Sequence, residues 1–458
     1  MLTECVRACL ICLFDNLGCC GGGHPHISQV GALNAVYFAR RGCNVDVYEA
    51  RDDIRQSKTY SGRSINLALS TRGIQALKDV GLDEMVVATG IPMYGRMIHN
   101  PTGGKYVVPY GKDNQAILSV DRRKLNELLL TTAEKLPNVS LHFEHKLTEV
   151  DVKARNLTLR APDRSTITVK PDLVVGSDGA YSSVRRHLLQ QPRFNYAQTY
   201  IAHGYKELTI PPVDGKFAME ANYLHIWPRH EFMMIALPNQ DRSFTCTLFM
   251  PFDIFATIST PELVLAFFRE NFADAIPLIG QERLVSDFFT NPTSTLMMVK
   301  CSPYHIDDFA VIIGDAAHAM VPFYGQGMNC GFEDCTVLHR LLGEHNMDLA
   351  TALPAYSKER NPDAEAICDL ALHNYVEMRH HVTSTSFLLR KKLDSLLHSL
   401  MPNTFIPLYT MVTFSRIPYA EVIERQKWQD RVVSRAGYLL LGASVLGAAL
   451  LAKQRLTK

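Results

Sequence analysis

Val311-Ile-Ile-Gly-Asp-Ala-Ala-His-Ala-Met-Val-Pro-Phe-Tyr-Gly-Gln-Gly-Met-Asn-Cys-Gly-Phe-Glu-Asp334 is the stretch that decides how this 458-residue chain folds. Its opening, Val311-Ile312-Ile313 ahead of Gly314-Asp315, has the composition of a buried parallel strand ending in a tight turn. An aspartate at the carboxyl end of such a strand faces the crevice where ligands of α/β sheets bind. Beyond Pro322, Gly325, Gly327 and Gly331 let the backbone approach a ligand closely before a helix begins. That helix start offers unpaired N–H groups and a partial positive charge. Few charges stand among the Met, Phe, Tyr and Pro of this stretch, which sets it apart from a solvated loop. It predicts the seat of a large, partly anionic ligand.

A chain of this length can bury two or three cores. Charged residues make up 20% of it and the formal net charge is +1, which argues against nucleic acid as the main partner. Five of the eleven cysteines fall in the first twenty residues and the others are scattered. That is a pattern of reduced thiols rather than a disulfide framework. The spacing of Cys9-x-x-Cys12 and Cys19-Cys20 matches no zinc site, so no metal is expected. Glu4, Arg7 and Asp15 break up the short apolar run around Leu10 to Phe14, and no signal peptide is expected.

Upstream, Gly21-Gly22-Gly23 is followed by a helical pattern from Val30 through Arg41. Val45-Asp46-Val47-Tyr48-Glu49 then reads as a strand ending in an acid. Glycine turn, helix, strand and acid are the order of a dinucleotide-binding βαβ unit, with Glu49 placed to accept from ribose hydroxyls. The spacing Gly-x-Gly-x-x-Gly fails here: Gly21 and Gly23 fit, position 26 is His26, and Gly31 is the third glycine only if His24 to Gln29 bulges out. Asp172 to Gly179 is a second apolar strand ending in Asp178-Gly179, so Asp178 and Asp315 predict one shared crevice. Arg122 leads into a helix predicted from Lys124 to Leu136, where an arginine commonly meets phosphate or ribose. Arg96-Met-Ile-His99 is strand-like. From about Pro192 to Met298, stretches such as Tyr223 to Trp227, Phe232 to Ala236 and Phe244 to Phe249 read as antiparallel strands covering the ligand. Beyond Val337 the pattern is helical. Ala436 to Ala452 is seventeen residues without a charge between Arg431, Arg435 and Lys453, Arg455. It stands near the lower limit of about seventeen residues for a membrane span, and a tail anchor in a thin membrane is expected.

Taken together, the Glu49 unit, Asp178-Gly179 and Gly314-Asp315 resemble the class A flavoprotein aromatic hydroxylases. Within that class, several runs are similar to the kynurenine 3-monooxygenases: Arg63 to Ser70, Tyr223 to Pro228, Phe244 to Pro251, Pro322 to Asn329 and Met401 to Ser415. The similarity extends from about Gly31 to Arg435. It implies an FAD-dependent monooxygenase that uses NADPH and molecular oxygen to convert L-kynurenine to 3-hydroxykynurenine through a flavin C4a-hydroperoxide, in tryptophan degradation and NAD biosynthesis. It also implies an outer mitochondrial membrane location with the catalytic part facing the cytosol. FAD would be met by Gly21, Gly23, Gly31, Glu49, Arg122, Asp178, Gly179, Asp315, Gly327, Met328 and Asn329. Arg96, Tyr110, Asn374 and Tyr409 would hold the substrate's amino-acid group, with Glu377 and Met378 nearby. Phe249, Pro322 and Phe323 would line its aromatic end. No side chain is expected to be the catalyst, since the hard chemistry belongs to the cofactor.

The architecture so implied is α/β. A Rossmann-like FAD-binding domain (31–190 and 299–345) carries an inserted antiparallel β-sheet substrate domain (191–298). A helical region (346–435) and a transmembrane helix (436–452) follow, and 1–30 is a divergent leading segment. The departure lies there. Asp15-Asn16-Leu17-Gly18-Cys19-Cys20 occupies the place of the family's first strand, and Asp, Asn and Gly suit a central strand poorly. Two alternatives therefore stand beside the enzyme: a flavin-deficient, membrane-anchored binding protein, and a hydroxylase of another aromatic acid.

Overall fold

The fold is that of a computed structural model describing residues 6–11, 29–56, 66–111, 115–379 and 385–456, with side chains left aside at 385–388 and 440–456. Its frame is a six-stranded sheet in the order His305–Ile306, Ala310–Ile312, Leu173–Gly176, Arg7–Ile11, Asn44–Tyr48 and Val139–His142. All neighbours are parallel except the edge pair His305–Ile306 and Ala310–Ile312.

The central strand is a correction to the sequence reading. It is Arg7–Ile11, not Asp15 to Cys20. Leu10 pairs with Val175 on one side and Val47 on the other, and Ala8, Cys9, Leu10 and Ile11 are completely buried. A strand covered on both faces needs such an unbroken apolar run. The central strand is therefore not weakened. Asp15 to Cys20, Gly21, Gly23 and the His24 to Ser28 part of the bulge lie outside the described residues. The chain resumes in the helix Gln29–Arg40, which buries Ala32, Leu33, Val36 and Phe38 against this sheet.

A seven-stranded sheet runs Ser294–Ser302, Asn195–Ile210, Phe244–Pro251, Phe232–Pro238, Leu224–Arg229, Gly95–His99 and Lys105–Pro109. It is antiparallel except where Leu224–Arg229 lies parallel to Gly95–His99. The strands read from alternation are present, but the sheet also recruits Gly95–His99 and Lys105–Pro109 from the amino-terminal half. Four helices between Phe252 and Thr290, which the alternating pattern did not reveal, cover one face. Phe255, Phe268, Phe272 and Phe288 bury there against Leu208, Phe244 and Leu248. That cover explains why Phe244 to Met250 is buried at every residue rather than at alternate ones.

The long helix Leu349–Arg379 and the helices Leu408–Phe414 and Tyr419–Leu456 form the carboxyl-terminal region. The stretch 436–452 lies within the last of these, and most of its side chains are outside the described set. Among the described residues no helix is long and apolar enough to cross a membrane.

Candidate active site

A cavity of 290 Å³ takes its walls from the seven-stranded sheet, from the turns at Gly179 and Asp315 beyond strands of the six-stranded sheet, and from the Met320 to Met328 stretch. Asp315, Arg122, Gly179, Gly327 and Met328 line one part of it, and Arg96, Phe249, Pro322, Phe323, Met378 and Tyr409 line the rest. Two stretches distant in sequence, ending in Gly179 and Asp315, thus meet in one crevice.

The crevice is narrow because glycines allow close packing. A Cβ on Gly331 would stand 2.6 Å from Val30 Cγ2 and 3.3 Å from the Gly314 Cα. Gly314 itself has φ +59°, the left-handed region that side chains avoid. Only small residues let the helix Gly327–Glu344 lie against the strand-end turn and the first helix together. Asp315 opens onto the cavity yet lies deep in the protein. Burial pushes its carboxyl above the ordinary range, with His318 and Arg122 pulling the other way.

Other residues singled out from the sequence sit behind the wall. Asp178 is completely buried. Its carboxylate accepts from Ser182 Oγ at 2.5 Å and from the Val184 N–H at 2.9 Å, so it caps the next helix rather than facing the cavity. Asn329 accepts from the Ser70 N–H at 2.8 Å and donates to the Ala68 and Gly325 carbonyls, tying the helix start to the adjoining strand Leu67–Leu69. Gly31 is buried within its helix. Asn374 donates to the Phe323 carbonyl at 2.7 Å and so positions that ring from behind.

Glu49 is 2% exposed. One carboxylate oxygen accepts from the Arg51 N–H at 3.1 Å, while Oε2 is buried with no partner. Burial pushes its pKa up to about 8. A buried acceptor with nothing to accept is costly, and it is what a ligand hydroxyl would satisfy. Arg122 Nε is likewise buried and unpaired at the cavity wall. These two groups, the glycine-lined approach and the helix start at Gly327 fit a dinucleotide such as FAD.

At the other end, the Arg96 guanidinium lies 4.7 Å over the Tyr409 ring and 3.6 Å from Glu377 Oε1, with its Nε unpaired. Tyr409 stacks between Tyr110 at 5.0 Å and Tyr324 at 5.6 Å. The Tyr110 hydroxyl is buried beside Arg96 and Tyr409 without a well-formed hydrogen bond. Phe249 meets Phe323 edge-on at 4.8 Å, and Phe323 stacks on Tyr375 at 3.8 Å. The result is an aromatic box with the buried Arg96 guanidinium and the Glu377 carboxylate at its end.

Several further wall residues carry no motif in the sequence. Asn66 donates to Ser119 Oγ and the Pro238 carbonyl, and Gln29 donates to the Arg122 carbonyl at 2.8 Å. Met233, Ile235 and Leu224 also line the cavity. As ordinary strand residues they carry no signal in the sequence that would mark them.

Residues 28–371 match the FAD binding domain family. The chain is 54% identical over 416 residues to kynurenine 3-monooxygenase of Sus scrofa, covering 91% of this chain and 87% of that one. The Caenorhabditis elegans kynurenine 3-monooxygenase is 49% identical, with 92% and 95% covered. Among solved structures, PqsL of P. aeruginosa in complex with 2-aminobenzoylacetate matches with a TM-score of 0.64 at 21% identity, covering 82% of this chain and 97% of that one. A 2-methyl-3-hydroxypyridine-5-carboxylic acid oxygenase matches with a TM-score of 0.65 at 18% identity, covering 84% and 96%. These structures share the fold; the sequence relatives share far more, and the chain belongs to the FAD-binding kynurenine 3-monooxygenase family.

Proposed function

We propose that this flavoprotein aromatic monooxygenase hydroxylates L-kynurenine beside the ring amino group, using NADPH and molecular oxygen. The observation that carries the reading is Arg96, a buried guanidinium with an unpaired Nε in the same cavity as Asp315 and Arg122. Its planar fork suits a carboxylate, and Glu377 at 3.6 Å complements an ammonium, so the pair suits an α-amino acid head group. Tyr110 adds a donor on a stacked, immobile ring. Phe249, Phe323 and Pro322 would hold the substrate ring and exclude water, without which activated oxygen escapes as hydrogen peroxide.

Bound FAD would supply electron transfer and oxygen activation. Glu49, Arg122, Asp315 and the N–H groups at Gly327 would hold it, and the helix start would favour negative charge on the reduced ring. Since the substrate's amino group activates its own ring carbon, no strong protein base is required. The unsatisfied Glu49 oxygen speaks against the flavin-deficient reading. The head-group pair speaks against an aromatic acid that lacks an amino-acid side chain.

The purified protein should be yellow and should oxidise NADPH faster when kynurenine is added, with 3-hydroxykynurenine as product. A correctly folded, colourless protein overturns the proposal. Attachment to the mitochondrial outer membrane, catalytic part outward, belongs to the same reading. The uncharged stretch 436–452 and the exposed Tyr438 and Leu439 within it support it. A chain ended after Arg435 should then leave the membrane fraction; one that stays there refutes the anchor.

A further inference from the structure

Behind the cofactor crevice lies a buried ion network whose charged members are not among the cavity-lining residues. Asp334 is completely buried. Its carboxylate accepts from the Gly314 N–H at 2.8 Å and from His318 Nε2 at 2.6 Å, and from Arg360 Nε at 2.9 Å. Arg360 also reaches Glu333 and Asp363, each at 3.2 Å. Glu333 pairs with Arg72 at 2.6 Å. Asp334 holds His318 well above its ordinary pKa against the pull of burial, so the imidazole is charged. Arg72, Arg360 and His318 then balance Glu333, Asp334 and Asp363.

Both free ends of this network run to the carboxyl-terminal segment. Arg72 donates to the Ile417 carbonyl at 2.5 Å and stacks over Tyr419 at 3.9 Å, while Asp363 accepts from the Ala420 N–H at 3.0 Å. Tyr419 Oη donates to Gln326 Oε1 at 2.9 Å. Gln326 is the capping residue of the helix Gly327–Glu344, whose first residues line the cavity. Six buried charges are expensive to desolvate and are weak grounds for stability; fixing one arrangement is the better-attested use of such groups.

We propose that the carboxyl-terminal segment Ile417–Ala420 positions the flavin-facing helix start, with Tyr419, Arg72, Arg360 and Asp363 as positioning residues that hold Gln326 and the Gly314 turn in register. This rests on the cavity being the flavin's seat. The helix start favours negative charge only where its N–H groups point, so a shift of the cap weakens its hold on the reduced, anionic ring more than on the oxidised one.

The test uses the full-length holoprotein and the conservative variant Tyr419→Phe, which removes one hydroxyl and keeps the ring under Arg72. Losing one hydrogen bond should weaken preference for reduced over oxidised flavin about three- to tenfold. That moves the two-electron midpoint potential about 15–30 mV negative. Peroxide formed per NADPH should rise, and Asp363→Asn should act in the same direction. Glu424→Gln, on the exposed side of the same helix, should change neither quantity. If Tyr419→Phe and Asp363→Asn lower only the unfolding temperature, the residues are merely structural and the inference is overturned. If the unaltered protein binds no flavin, the functional reading fails with it, a result distinguishable because it needs no variant.

Discussion

Glu49 offers the sharpest quantitative test of the cofactor site. In the protein without flavin, burial raises its pKa from 4.5 to about 8. The side chain is almost wholly buried, so solvent screening removes little of the effect. For an acid whose folded pKa is raised, the stability associated with the protonated form is complete below pH 4.5 and is lost as pH rises through 8. Linkage at about 1.4 kcal/mol per pH unit sets the loss between pH 5 and pH 8 at roughly 3–4 kcal/mol. Glu49→Gln keeps the acceptor for the Arg51 N–H and abolishes the titration. Urea unfolding of the flavin-free protein at pH 5 and pH 8 should therefore show a pH dependence in the unaltered chain that exceeds the variant's by about that amount. Flavin hydroxyls donating to Oε2 would favour the carboxylate, so the unaltered protein should bind FAD more tightly as pH rises from 5 to 8, and the variant should not. Parallel pH profiles for the two proteins would refute both the buried-carboxylate argument and the ribose role.

Arg96→Met should raise the KM for kynurenine by about 30- to 150-fold, the scale of about 2–3 kcal/mol for a buried charge pair broken on one side, while flavin content stays normal; an unchanged KM removes Arg96 from head-group binding. Gly331→Ala forces Val30 aside and presses on Gly314, so it should cost about 1–3 kcal/mol and lower flavin occupancy measured from the visible spectrum. Asp178→Asn sets an amide N–H against one of two donors, Ser182 Oγ or the Val184 N–H. It should cost about 1–3 kcal/mol in chemical unfolding without changing the KM for kynurenine.

How far the sequence could be read depended on whether a feature was local. Val311 to Asp315 and Leu173 to Gly179 announced strands and turns by composition alone, and the structure brings Asp315 and Gly179 into one cavity. Phe244 to Pro251 read as a strand because apolar, β-branched and aromatic residues dominate it. The four helices packed on its outer face left no mark there, because cover on both faces erases alternation. The first strand was misplaced for a related reason. Arg7–Ile11 is five residues long and its apolar core is only four, too short to stand out before pairing on both sides is known. Arg360 and Arg72 could not be read as buried at all. Each is an ordinary polar helix residue until Glu333 reaches Arg72, and Glu333 and Asp334 of another helix join Asp363 of its own helix around Arg360.

Extra residues near the amino-terminal glycines join two anchored ends. Ile11 is held in register with Gly176 and Tyr48. Gln29 is tied to the Arg122 carbonyl, and Val30 is wedged against Gly314 and Gly331. Both ends of the connection are therefore fixed by contacts that do not involve it. Lengthening a connection between fixed ends is cheap, about 0.6 kcal/mol for each doubling, so the frame tolerates a long connection between Ile11 and Gln29. Ligand binding is less forgiving, because backbone N–H groups help a phosphate only when they point at it. The added length thus bears on cofactor affinity and hardly on folding. On the proposed reading, it would shift the burden of holding FAD toward Arg122, Asp315 and the helix start at Gly327, which line the cavity.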